Sequence, residues 1–431
     1  MYNEVIGMKK IVKTLIPNKI WLFLKFLKYF YNTPKYWVKN NIKESNEKYI
    51  RIIFLVQFPE TWNSFKTVYE ELKQRESVEV SILCIPKPIS NNGEIEYHPT
   101  DINESFEYFK NLGIDCVNAL KIDNQWIDIE LLKPDYVIYT RPYNIQYPVE
   151  YRSSSVCRFA KTCYIPYAYN MMDDQFFVTF NTEFITNIYT IFVASESRLI
   201  MCKEEFYFQD KFGTNKFVYM GFPRFDLITN NIEEKEKNKR FTIAWMPRWT
   251  VADGEATKLS GFLKYSRQIL DFVKKHKNIY LIIRPHPLMF ANFIEKGVMT
   301  QNEVERFKKE CTECENVVID REKDYIPLFN RADLLIADYT SLLMEFFVTG
   351  KPIIYCDDEK GLNKEAQEMD TVLYHAESYK EIEGLVLDIM EGNDSMQEKR
   401  KLIINKLVPK NAGMIGEQIA EYLINDSKKY K

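Results

Sequence analysis

Asp333–Tyr355 reads DLLIADYTSLLMEFFVTGKPIIY, and its order of apolar run, polar turn, apolar helix and second apolar run is that of half a parallel α/β unit. Leu334–Ala337 is the first strand. Asp338, Tyr339, Thr340 and Ser341 form the turn, Gly350 is placed to end the helix, and Pro352 opens a buried strand over 353–356. Asp338, Thr340 or Ser341 can cap the helix, whose first N–H groups and positive dipole end suit an anion such as a pyrophosphate. A capping role alone explains the same residues.

Two further turns of the same kind lie upstream. In NIYLIIRPHP (278–287) an apolar strand runs into Arg284, Pro285, His286 and Pro287, and the two prolines make that turn rigid. The strand at 241–245 ends in Met246, Pro247, Arg248 and Trp249. Ligands of open parallel sheets bind outside the carboxyl ends of the strands. Three strand ends thus deliver Arg248, Arg284, His286 and a Thr-Ser turn to one edge, a set suited to a diphosphate.

GFPRFD (221–226), WMPRWT (245–250), RPHP (284–287) and ADYTSLLMEF (337–346) together resemble the CDP-glycerol glycerophosphotransferases of teichoic acid and capsule synthesis. The resemblance is strongest over about residues 217–357. It implies a GT-B fold, with two Rossmann-like domains facing a cleft, and transfer of a polyol phosphate, glycerol phosphate first, from a CDP-linked donor to a hydroxyl of a cell-surface glycan or lipid-linked acceptor, with release of CMP. It also implies that His286, Thr340 and Ser341 hold the donor diphosphate and that Glu345 holds the ribose. Arg248, Arg284, Asp338, Tyr339, Gly221 and Arg224 complete the expected donor set. A GT-B glycosyltransferase using a UDP-sugar would share this diphosphate site and is the alternative. A non-catalytic interaction protein on the same fold is a third reading.

The chain departs from the family in its N-terminal half. Family members carry a His-Gly pair whose histidine is thought to act as the base on the acceptor hydroxyl. None of the four histidines here, His98, His276, His286 and His375, precedes a glycine. The corresponding region is CYIPYAYNMMDDQ (163–175). Asp173 and Asp174 are its carboxylates, able to act as general base if within reach of the hydroxyl, or else simple caps. Tyr167 and Tyr169 are expected to position the acceptor, with Arg141 from the end of an apolar strand at 136–139. Tyrosine suits a surface that is partly apolar yet bonds hydroxyls, and suits plain helix packing equally.

From Ile50 onward strands and helices alternate, the pattern of a parallel sheet covered on both faces. One helix is expected over 62–73. The polar stretch NNIEEKEKNKR (230–240) reads as a linker, giving an acceptor domain over 48–232, a donor domain over 233–410 and a crossover helix over 411–431. With 431 residues, 46% hydrophobic, 28% charged and a net charge of −3, the chain lacks the basic excess of a general nucleic-acid binder. The eight cysteines lie mostly in apolar contexts and read as reduced core residues, with the cytoplasm as compartment. The lone Cys311–Cys314 pair is too little for zinc. No Asp-x-Asp motif is placed to hold Mg²⁺, so transfer without a metal or other cofactor is expected.

The first 47 residues stand apart. Up to residue 43 they hold nine lysines against one acid, Glu4, around an aromatic run at 20–30. The run is too short and too interrupted by Lys25 and Lys28 to span a bilayer. A basic amphipathic segment at the inner face of the membrane is expected, the other reading being a helix packed onto the N-terminal domain.

Overall fold

The computed structural model describes residues 17–32, 49–91, 94–97, 103–173, 176, 180–230, 240–251, 259–357 and 361–428. The chain folds as two compact units. Unit 1 comprises residues 1–168, 174–224 and 414–431, and unit 2 comprises 169–173 and 225–413.

Unit 1 is built on seven parallel strands: β1 (Ile50–Val56), β2 (Val78–Cys84), β5 (Cys116–Asn118), β6 (Tyr136–Tyr139), β7 (Lys161–Tyr164), β8 (Thr190–Val193) and β9 (Lys216–Tyr219). Their order is β5-β2-β1-β6-β7-β8-β9, and a small ribbon of β3 (Ile89–Asn91) and β4 (Glu94–Glu96) forms a separate sheet. Unit 2 carries β10 (Phe241–Met246), β11 (Ile279–Ile283), β12 (Val317–Ile319), β13 (Leu334–Ala337), β14 (Ile353–Tyr355) and β15 (Tyr374–His375), in the order β12-β11-β10-β13-β14-β15. In both sheets the order reverses beside the first strand, the doubly wound arrangement that opens a crevice at the strand ends. Near-continuous apolar runs such as IRIIFLV in β1 follow from burial on both faces. The fold is α/β of GT-B type, as the sequence led one to expect.

Local chemistry explains several boundaries. Ser260 caps the Gly261–Lys275 helix by accepting from the Phe262 N–H, and this helix packs Phe262, Ile269, Leu270 and Val273 into the core with Ile243, Leu281 and Ile336. The helix expected over 62–73 is instead two pieces, a 3-10 turn Pro59–Ser64 and an α-helix Lys66–Lys73, divided at Phe65, whose φ of −139° leaves the helical region. Residues 169–173 join unit 2 because Asn363 donates its N–H to the Met171 carbonyl and its Nδ2 to that of Asn170, both at 2.7 Å. The polar stretch at 231–239 lies outside the described residues.

The basic N-terminal segment is described only over its helix, Asn18–Asn32. One face packs on unit 1: Leu22 and Phe26 are buried, Phe26 lies 5.4 Å from the Phe212 ring, and Lys25 pairs with Glu205. Ile20, Phe23, Leu24 and Leu27 remain 51, 39, 48 and 41% exposed. Among the described residues no helix is long and apolar enough to cross a membrane. All eight cysteines are free thiols.

The C-terminal helix Ile415–Lys428 belongs to unit 1, and two contacts tie it there. Gly416 meets Thr67 so closely that a Cβ would lie 2.6 Å from the Thr67 carbonyl carbon. Asp426, 3% exposed, accepts from Lys161 and Lys216 at 2.8 Å and from the Tyr136 and Tyr189 hydroxyls at 2.8 and 3.1 Å. These donors hold its pKa down at about 2 against burial. The folded value lies below the usual 3.8, so the stabilisation is complete above pH 4 and is lost as pH falls toward 2. At neutral pH it amounts to about 2 kcal/mol. Asp426→Ala leaves two lysines without their carboxylate and is expected to cost about 3 kcal/mol in urea unfolding at pH 7, with a smaller difference at pH 3. Gly416→Ala is expected to cost about 1–3 kcal/mol through the forced separation of the two helices, read as a lowered Tm.

Candidate functional site

At the carboxyl edge of unit 2, β10 lies between β11 and β13, so the turns after these three strands are neighbours at a spacing of about 4.8 Å. The turn after β10 supplies Arg248 and Trp249, that after β11 Arg284 and His286, and that after β13 Asp338 to Ser341. Asp357 and Asp320 follow β14 and β12, the strands that flank these three.

Asp338 is the internal tie of this edge. It is 2% exposed, and its Oδ2 accepts from the Arg248 and Gly261 N–H groups, each at 2.8 Å. One carboxylate thereby joins β13, the turn after β10 and the start of the Gly261–Lys275 helix. Gly261 is required there, because a Cβ would collide with Asp338 Oδ1. Burial pushes the Asp338 pKa up to about 6, with the two N–H bonds and Arg248 opposing. Its carboxylate therefore faces the protein interior rather than a ligand, which corrects its expected place in the donor set.

Both arginines are oriented by carboxylates. Arg248 Nη1 meets Asp357 Oδ2 at 2.7 Å, and the same oxygen accepts from the Tyr339 N–H at 3.3 Å. Arg284 Nη1 pairs with Asp320 and donates to the Glu322 carbonyl at 2.9 Å, with its guanidinium over the Tyr325 ring. A guanidinium has five donors in a fixed fork, and such anchoring sets the plane in which the others are offered.

His286 reaches the surface with one ring face against Trp249, the centroids 5.7 Å apart and the planes at 29°. Its Nδ1 accepts from the Leu288 N–H at 3.2 Å. That bond assigns the proton of the neutral ring to Nε2. Desolvation lowers its pKa from the ordinary 6.5, so at neutral pH the ring is an uncharged Nε2–H donor.

The expected helix cap differs in detail. The helix after the turn is short, Leu343–Phe347, with Leu342 at its N-cap and no side-chain cap. Thr340 instead turns its Oγ1 back to accept from the Leu342 N–H at 3.3 Å, while Ser341 is exposed. Leu342 at the cap is half-buried, and the helix begins with the buried Leu343. Gly350, expected as the C-cap, sits two residues past the Val348 cap at φ +74°. Glu345, expected at the ribose, is fully buried and hydrogen-bonded to the Tyr325 hydroxyl. It supports the wall under Arg284 rather than standing open to ligand.

Gly221 follows β9 and Arg224 opens the helix Arg224–Thr229, and both are counted in unit 1 rather than unit 2. Gly221 has φ +99°, a left-handed turn conformation favouring glycine, and Arg224, 6% exposed, donates to the Glu60 carbonyl at 3.4 Å. The expected acceptor residues also separate. Arg141 and Tyr167 cluster in unit 1, whereas Tyr169, 3% exposed and stacked on Phe225, is core packing of unit 2. Asp173 is exposed on the unit 2 strap, its N–H donating to the Gly361 carbonyl at 3.2 Å. Asp174 lies outside the described residues. Asp320, Asp357, Trp249 and Gly261 were not anticipated. Asp357 directly follows the strand expected over 353–356, a signal equal to that which singled out the arginines.

A family model described as CDP-glycerol:poly(glycerophosphate) glycerophosphotransferase matches residues 186–425. None of the curated proteins matches the chain in sequence. Among solved structures, one of the wall teichoic acid polymerase TagF is 13% identical with a TM-score of 0.57, covering 95% of this chain and 98% of that one. A TagF variant soaked with CDPG is 13% identical at a TM-score of 0.56, covering 95 and 99%. A UDP-GlcNAc 2-epimerase from Neisseria meningitidis bound to UDP-GlcNAc is 12% identical at 0.55, covering 87 and 100%. At these identities the likeness is one of fold.

The raised pKa of Asp338 makes a test of the tie. The folded state holds this proton more tightly than a free aspartate at 3.8, so the group favours the fold below about pH 4 and that advantage is lost as pH rises through 6. Both N–H bonds end on one oxygen, which an amide can imitate. Asp338→Asn is therefore expected to gain stability relative to the parent between pH 4 and pH 7 in urea unfolding. An unchanged difference at the two pH values would contradict the assignment.

Proposed function

Because the chain belongs to the CDP-glycerol:poly(glycerophosphate) glycerophosphotransferase family, we propose that unit 2 holds the diphosphate of a CDP-polyol, CDP-glycerol first, at the turns after β10, β11 and β13. The observation that carries the placement is the convergence of Arg248, Arg284, His286 and the Thr340–Ser341 turn on adjacent strand ends of one sheet. The donor cytidine and ribose are placed along the same edge.

The chemistry is substitution at phosphorus. An acceptor hydroxyl oxygen forms a new P–O bond to the phosphorus bearing the polyol, the bond to the CMP oxygen breaks, and CMP leaves with the bonding pair. Charge grows on the CMP phosphate as that bond lengthens. A neutral His286 offers it a hydrogen bond from Nε2, and the two arginines offer positive charge in planes set beforehand by Asp357 and Asp320, so little reorganisation is needed at the moment of reaction. Charge supplied by these side chains makes metal-independent transfer part of the proposal. Asp173, exposed on its strap, is the described member of the pair expected to take the acceptor proton. The acceptor is a glycan or lipid-linked hydroxyl of the cell-surface polymer.

Attachment to an anionic membrane belongs to the same reading, since a surface polymer grows on lipid. Its support is the exposed apolar face Ile20, Phe23, Leu24 and Leu27 within a lysine-rich segment. Each lysine near such a surface contributes about 1 kcal/mol.

Thermal-shift titration is expected to show stabilisation by CDP-glycerol or CDP-ribitol and none by UDP-sugars. With a suitable acceptor, CMP should form, equally in the presence of EDTA. Selective stabilisation by UDP-sugars would overturn the reading. His286→Ala is expected to lower turnover about 10²–10³-fold with an unchanged melting profile, and a fall below about threefold would remove His286 from the assigned role. In liposome sedimentation, Leu24→Asp with Leu27→Asp should release the protein from anionic vesicles, whereas retention would place the segment off the membrane.

A further inference from the structure

Unit 1 has its own group of ligand-competent side chains, on strand ends that the donor reading does not use. β1, β6 and β7 are neighbours in the sheet. Phe58 follows β1 by two residues, Arg141 follows β6 by two, and Tyr167 follows β7 by three. The Arg141 guanidinium carbon lies 3.9 Å from the centre of the Phe58 ring, 4.8 Å from that of Tyr143 and 5.9 Å from that of Tyr167. The Tyr143 and Tyr167 hydroxyls meet at 3.0 Å. All four residues are half-buried, so the cluster is open to solvent on one side.

The lack of a carboxylate separates this arginine from its counterparts in unit 2. Arg248, Arg284 and Arg400 each hold a carboxylate, whereas no carboxylate among the described residues pairs with Arg141, whose Nη1, like that of Arg400, is buried without a hydrogen-bond partner. Beside it Tyr164, fully buried, also has a hydroxyl without a partner and feels the Arg141 charge together with the Tyr143 and Tyr167 hydroxyls. A cation withdrawn from water needs a counter-charge or strong acceptors. Aromatic faces supply part of this, but they leave the guanidinium N–H donors unanswered. An oxyanion answers them, and the tyrosine hydroxyls add donors around its other oxygens. The ring faces suit the C–H surface of a short polyol chain.

We propose that the Arg141 cluster is a binding site for a phosphoryl group carried on a polyol, formed by Arg141, Tyr143 and Tyr167 against Phe58. This rests on the transferase reading for its occupant, the phosphorylated end of the acceptor, and the site binds its ligand independently of the donor.

The test uses the full chain and calorimetric titration with sn-glycerol 3-phosphate, inorganic phosphate, glycerol and CDP-glycerol. Glycerol phosphate is expected to bind at least tenfold more tightly than inorganic phosphate, and glycerol not measurably. Arg141→Gln should weaken glycerol phosphate tenfold or more, Arg141→Lys and Tyr167→Phe less, and all three should leave CDP-glycerol affinity within twofold. Tyr167→Phe removes one oxygen and serves if the arginine variants do not fold. Glycerol phosphate binding that survives Arg141→Gln and Tyr167→Phe, or is abolished by His286→Ala instead, overturns the site. Equal binding of inorganic phosphate overturns the polyol part, and equal binding of glycerol overturns the anion part. Failure of CDP-glycerol alone would strike the donor reading and leave the Arg141 site standing.

Discussion

The carboxyl edge of the unit 2 sheet depends on one buried carboxylate. Asp338 must be satisfied because it is withdrawn from water, and the N–H groups that satisfy it belong to the turn after β10 and to the helix beginning at Gly261. The same bonds that offset its burial therefore fix where Arg248 leaves the sheet. Because Gly261 lacks a Cβ, the helix can approach closely enough to make the second bond.

Around that tie, charge is arranged rather than accumulated. Arg248 and Arg284 lean on Asp357 and Asp320, so neither swings freely, and desolvation lowers the pKa of His286, whose ring stacks on Trp249. In the proposed function such a site would hold a diphosphate through oriented donors more than through net positive charge, in keeping with a chain whose overall charge is −3. Unit 1 shows the opposite solution at Arg141, where aromatic rings stand in for a carboxylate. The two strand edges thus differ in kind, one with its arginines paired to carboxylates and one with an arginine set among aromatic rings.

The units are not simple halves of the sequence. Unit 1 recovers the C-terminal helix, which Asp426 anchors through two lysines and two tyrosines from β6, β7, β9 and the loop before β8. Unit 2 takes five residues, 169–173, from the middle of unit 1's span. Each transfer is held by polar bonds between residues far apart in sequence, Met171 with Asn363 or Lys161 with Asp426.

Much was legible from the sequence alone. Apolar runs bounded by proline and polar turns located nearly all the strands, since strands of a parallel sheet are buried on both faces and have to be apolar throughout. The motifs at 245–250, 284–287 and 337–346 marked turns that the structure brings together on adjacent strand ends, because residues just past a strand's carboxyl end are confined to one edge. What the sequence could not show is the direction of each side chain. Asp338, Glu345 and Tyr169 read as ligand-facing and are packed inward, while Asp320 and Asp357 read as nothing and orient the arginines. Thr340 read as a helix cap and instead closes a turn onto the Leu342 N–H. Strand and turn placement follows from local composition, which neighbouring residues carry. Which face a turn residue shows, and which distant carboxylate meets it, is decided only when strands far apart in the chain lie side by side.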